Sequence, residues 1–259
     1  MIDLGRAFGG ALIFGLPMLM TMEMWELGIY MDRWRLLLLL VSSFPVLMFL
    51  SHYFGFERSW GWREDLRDVS IAYGVGFLAG AGILLLLGIL GPGMSPSEII
   101  GKLVLQAISG ALGALLARSQ FGQHDGDGAP GYGNELGVMA AGALFLSLNV
   151  APTEEMMVIA YRMTAWHSLM LMATSILIMH GFVYAVEFKG SSAVPEGTPW
   201  WALLLRFTMT GYVLALAIAL YALWLFSRLD GLSFGQILGA TIVLGFPAAL
   251  GAAAARLIL

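Results

Sequence analysis

A segment from Gly10 to Trp34, GALIFGLPMLMTMEMWELGIYMDRW, returns 132 positions later as GALFLSLNVAPTEEMMVIAYRMTAW, from Gly142 to Trp166. In that register Gly10-Ala11-Leu12 meets Gly142-Ala143-Leu144, Thr21 meets Thr153, Glu23 meets Glu155 and Trp34 meets Trp166. Each copy is apolar over a length suited to a bilayer, which takes roughly 20 residues of helix. Each also carries carboxylates in its apolar interior, where charge is expensive and is usually kept for function. A chain under both constraints is expected to fold as membrane helices.

Composition agrees. The 259 residues are 59% hydrophobic and 12% charged, whereas a soluble chain carries about a quarter charged residues. Too little polar sequence remains for a separate soluble domain. A net charge of −4 with no basic patch excludes nucleic acid as a partner. The absence of cysteine excludes disulfides, thiolate metal sites and redox motifs. Arg6 precedes an apolar run as in a signal peptide. No A-x-A site follows and the run continues to Met31, so the segment reads as a retained helix.

Hydropathy predicts an all-α polytopic protein with helices near 6–31, 34–54, 68–91, 95–118, 135–162, 165–187, 200–227 and 233–257. The breaks carry turn chemistry: Asp32-Arg33, the charged stretch Glu57 to Asp68, Gly91-Pro92-Gly93, and a polar loop from Glu187 to Pro199. The repeat extends to the fourth and eighth helices. There a shift of 138 aligns Gly101 with Gly239, Gly113 with Gly251 and Arg118 with Arg256. Arg67 and Tyr73 fall on Arg206 and Tyr212 with a shift of 139. The expected organisation is a four-helix repeat over 1–118, a Gly-rich linker over 119–134 and a second four-helix repeat over 135–259. An even number of helices per repeat predicts parallel insertion about a pseudo-two-fold axis along the membrane normal.

Small residues on the fourth and eighth helices, such as Gly101, Gly110, Gly239 and Gly251, predict close interior packing. Arg6, Arg58, Arg63, Arg67, Arg118, Lys189, Arg206 and Arg256 outnumber the basic residues of the other side, which favours a cytoplasmic N-terminus.

The chemistry concentrates in the first and fifth predicted helices. Glu23 and Glu26 are three apart and share a face. Asn149, Pro152, Thr153, Glu154 and Glu155 form one polar cluster, and Pro152 removes a backbone donor and frees a carbonyl. Carboxylates, an amide, hydroxyls and freed carbonyls are hard oxygen ligands, suited to H⁺, Na⁺, Ca²⁺ or Mg²⁺ rather than soft metals. The candidate cation-binding set is Glu23, Glu26, Glu154, Glu155, Asn149 and Thr153. Glu23 and Glu155 are its predicted metal ligands, expected to converge across the pseudo-axis. Beyond a bound cation no cofactor is expected. The expected partners are the lipid bilayer and an inorganic cation, with a homo-oligomer left open. His52, His167 and His180 stand singly and carry no zinc spacing. Ser42, Ser43, Thr174 and Ser175 match across the repeat and are expected to bond to their own helix carbonyls.

The strings TMEMWE, with Leu16-Pro17 upstream, and NVAPTEE resemble a bacterial integral-membrane family known as a domain of unknown function. The resemblance spans almost the whole chain. It implies a multi-helix inner-membrane protein and supplies no activity.

Three functions are weighed. Cation translocation by a carrier or channel uses the carboxylates directly. An intramembrane protease draws on the likeness of Glu154-Glu155 to the glutamate motif of CAAX-type proteases. There the Arg follows the second Glu by four residues, whereas Arg162 lies seven beyond Glu155. The Phe-x-x-x-His partner is also missing, so the chain is not expected to be an enzyme. A non-transporting sensor or assembly subunit would use its acids for helix–helix hydrogen bonds.

Overall fold

The computed structural model describes residues 2–54, 62–121, 132–185 and 200–258. The chain divides into two compact units, Met1–His124 and Asp125–Leu259.

Unit 1 opens with α1 (Ile2–Leu19) and the short α2 (Met22–Tyr30). These two are bent by 82° at Met20-Thr21, where the sequence predicts one helix over 6–31. Three long helices follow: α3 (Arg33–Phe54), α4 (Trp62–Leu86) and α5 (Pro96–Phe121). The Asp32 carboxylate starts α3 by accepting from the Trp34 and Arg35 amides.

Unit 2 has the same succession. The helices α6 (Tyr132–Val150) and α7 (Glu154–Arg162) are bent by 93°, where the sequence predicts one helix over 135–162. Then come α8 (Ala165–Ala185), a span built from α9 (Trp200–Leu203), a π-helical turn Leu204–Met209 and α10 (Thr210–Leu225), and finally α11 (Phe234–Ile258). Six described helices are long and apolar enough to cross a membrane, or up to eight if each bent pair is one span. The protein is all-α and polytopic.

The sequence-derived limits shift in one consequential place. The third predicted span starts at Trp62 rather than 68, so Asp65 and Asp68 lie inside α4 and are buried. The centres of the predicted linker and of the polar loop before Pro199 lie outside the described residues.

Within unit 1, α5 packs against α1, α2, α3 and α4; within unit 2, α11 packs against α6, α7, α8 and α10. Close packing in a membrane relies on small residues, because lipid supplies no hydrophobic drive between helices. Two contacts show this in unit 1, and one of them recurs in unit 2. A Cβ on Gly113 would lie 2.7 Å from the Gly10 carbonyl oxygen, and Gly251 meets the Gly142 carbonyl in the same way. A Cβ on Gly28 would lie 2.7 Å from the Lys102 amide nitrogen, which lets α2 lie flat on α5. The positions aligned with Gly28 and Gly101 are Ala160 and Gly239, and there the fit is looser, at 3.9 Å.

Candidate functional site

A helix that stops inside a membrane protein leaves its last carbonyls without amide donors. In unit 1 side chains fill those places. The Thr21 hydroxyl donates to the Pro17 carbonyl. The Trp25 indole donates to the Leu19 carbonyl at 2.8 Å, and the Gln106 amide donates from α5 to the Met18 carbonyl at 3.2 Å. Leu19 packs with Leu84, Leu90 and Leu103, and Trp25 lies against that cluster, so the corner is anchored by packing as well.

Unit 2 makes its corner with different donors. The Asn149 Nδ2 group donates to the Phe145 carbonyl at 2.7 Å and the Thr153 hydroxyl to the Val150 carbonyl at 2.8 Å. Arg228, in the turn after α10, donates from Nη2 to the Pro152 carbonyl. Pro152 itself has no N–H to continue the ladder. Thr21 and Thr153, aligned in the sequence repeat, are both extended residues that start the second helix of their pair.

The acids follow directly. Glu23 lies in the first turn of α2, and Glu154 and Glu155 lie in the first turn of α7. Carboxylates there are stabilised by the exposed amides and dipole of a helix N-terminus. Glu23 is half-buried, whereas Glu26, Glu154 and Glu155 are exposed. Among the described residues none of the four has a hydrogen-bond or ion-pair partner. In particular, Glu155 and Arg162 do not pair.

The structure therefore brings Glu23 and Glu26 together in unit 1. It brings Asn149, Thr153, Glu154 and Glu155 together in unit 2. Asn149 and Thr153 point hydrogens at backbone carbonyls, which leaves the Asn149 Oδ1 as a covered acceptor without a partner. Among the described residues no group of three or more His, Asp or Glu is arranged to hold a metal ion. His52 contacts Asp65 at 3.1 Å, His167 contacts Thr164 at 2.8 Å and His180 contacts Thr208 at 2.9 Å.

The aligned hydroxyls behave as helix-bonded side chains. Ser43, Thr174 and Ser175 donate to Leu40, Met170 and Leu171 respectively. Ser43 also meets the Tyr73 hydroxyl at 2.6 Å.

The family model of a set of integral membrane proteins matches residues 3–259. The chain belongs to the DUF2391 family. No curated protein and no solved structure matches it. In this DUF2391 protein the strings TMEMWE and NVAPTEE are the two corners. Thr21, Trp25, Asn149 and Thr153 cap carbonyls there, and Glu23, Glu154 and Glu155 open the following helices.

Sequence reading missed Gln106 and Arg228, which reach those corners from elsewhere in the chain, and the part-buried ion pair of Lys102 with Glu98 at 2.9 Å. Gln106 had a detectable signal, as a lone amide in an apolar run whose aligned position is Leu244.

Proposed function

We propose that this DUF2391 protein moves a cation across the bacterial inner membrane, as carrier or channel, with its N-terminus in the cytoplasm. The observation that carries the reading is the pair of corners. Each unit interrupts its first membrane helix at an aligned threonine and puts carboxylates without a protein counter-charge on the next turn. Interrupted helices at membrane depth are tolerated where they line a cavity or a binding site. Unpaired acids in such a place call for a proton or a metal cation. Glu23 and Glu155 are the proposed principal ligands, with Glu26, Glu154, Asn149 and Thr153 supporting. Na⁺, Ca²⁺ and H⁺ are the candidate ions. Duplication of an ancestral four-helix unit accounts for the shared succession of elements and is part of the proposal.

The protein is not read as an enzyme, because its acids have neither the arginine spacing nor the histidine partner of a membrane protease. Purified protein in liposomes should carry Na⁺, Ca²⁺ or H⁺ down an imposed gradient faster than empty vesicles. Flux indistinguishable from the vesicle leak, together with a tightly bound protein partner in pull-downs, would favour an assembly subunit instead.

A further inference from the structure

The corner of unit 1 holds one buried acceptor that no protein donor reaches. Gln106 is 2% exposed. Its Nε2 serves the Met18 carbonyl, and its Oε1 is fully covered with no hydrogen-bond partner. Gly80 makes room for it, since a Cβ there would lie 3.0 Å from the Gln106 Cβ. An enclosed amide oxygen without a partner is destabilising, so packing alone argues against a glutamine here. Unit 2 shows what packing alone accepts: the aligned residue on α11 is Leu244, fully buried.

The Met18 carbonyl also accepts from the Thr21 amide at 3.2 Å, which puts the Gln106 amide at the α1–α2 corner. Half-buried Glu23 lies on the turn that starts there. Glu26 is exposed, so the covered part of the corner offers one carboxylate and one neutral amide oxygen, which balance a single positive charge. A divalent ion, which gathers six to eight oxygens with several carboxylates among them, is served less well. Unit 2 has a covered acceptor of its own in Asn149 Oδ1, but the Arg228 guanidinium on the Pro152 carbonyl fixes a positive charge at its corner, whereas Lys102, one turn before Gln106 on α5, is paired with Glu98 at 2.9 Å. A fixed charge of that kind repels a mobile cation.

We infer that the corner of unit 1 is the tight cation site, that Gln106 Oε1 is its innermost ligand, and that its ligand is a monovalent alkali cation. This assignment rests on the cation-transport reading.

The test is thermal unfolding of the full-length protein in detergent, with NaCl titrated against choline chloride at fixed ionic strength and CaCl₂ run in parallel. A ligand that binds only the folded state raises the midpoint as its concentration grows. The wild-type midpoint should rise with Na⁺. Gln106→Leu should weaken the apparent Na⁺ affinity about tenfold or more, with an ion-free midpoint equal to or above the wild type. Gly74→Ala, at a position with nothing within 4 Å, should leave the affinity within about threefold.

A Gln106→Leu protein that titrates like the wild type overturns the assignment and leaves Oε1 to an internal water. Loss of the Na⁺ response in Glu155→Gln but not in Gln106→Leu overturns it as well. If Gln106→Leu does not fold, Gln106→Met is read by the same criteria. A wild type that responds to Ca²⁺ and not to Na⁺ overturns the monovalent assignment and leaves the transport reading standing. A wild type that responds to neither ion and carries no flux overturns both.

Discussion

Gly10 and Gly113 meet backbone to backbone, and the aligned Gly142 and Gly251 do the same in the second unit. A Cβ on Gly113 would fall 2.6 Å from the Phe14 Cβ, a distance real side chains do not tolerate. Gly113→Ala and Gly251→Ala should each destabilise the protein by about 1–3 kcal/mol, the usual range for overpacking. Gly74→Ala is the control, because nothing lies within 4 Å of that position. Its unfolding midpoint should stay level or rise slightly, since alanine favours helix over glycine.

Trp25→Phe keeps the ring in the Leu19, Leu84, Leu90 and Leu103 cluster and removes only the indole donor from the Leu19 carbonyl. A buried carbonyl left without its partner costs about 1–3 kcal/mol. Thermal unfolding in detergent should register that loss. A midpoint unchanged from the wild type would show that the carbonyl finds another donor.

Arg228→Met removes the donor to the Pro152 carbonyl and the charge together. The expected loss is about 1–3 kcal/mol, with faster amide hydrogen exchange across Val150 to Thr153. Arg228→Lys retains one donor and should recover part of it. Equal exchange in all three proteins would remove Arg228 from the account of the corner.

The long helices were legible because long apolar runs and Gly/Pro punctuation are local signals, and the eight expected spans are reached if each bent pair is one span. The corners were half-legible. Pro152 announces a missing donor at the second corner and Pro17 another just ahead of the first, but Gln106, which caps the Met18 carbonyl, is distant in sequence. The buried Asp65 and Asp68 were hidden by a boundary, since a charged stretch beside a predicted helix reads as loop until α4 is seen to begin at Trp62. The π-helical turn at Leu204–Met209 leaves no mark in composition. The acids were found from the repeat, because Glu23 and Glu155 occupy aligned positions. Their local setting, on the first turn of a short helix, required coordinates.

The central claim is that the corner carboxylates carry the ion. It is tested most directly by flux into proteoliposomes containing the wild type or the Glu23→Gln, Glu155→Gln double variant at matched protein density. The account predicts that the double variant falls to the leak of empty vesicles while retaining the wild-type unfolding midpoint in the absence of cation. Wild-type flux from the double variant would contradict it.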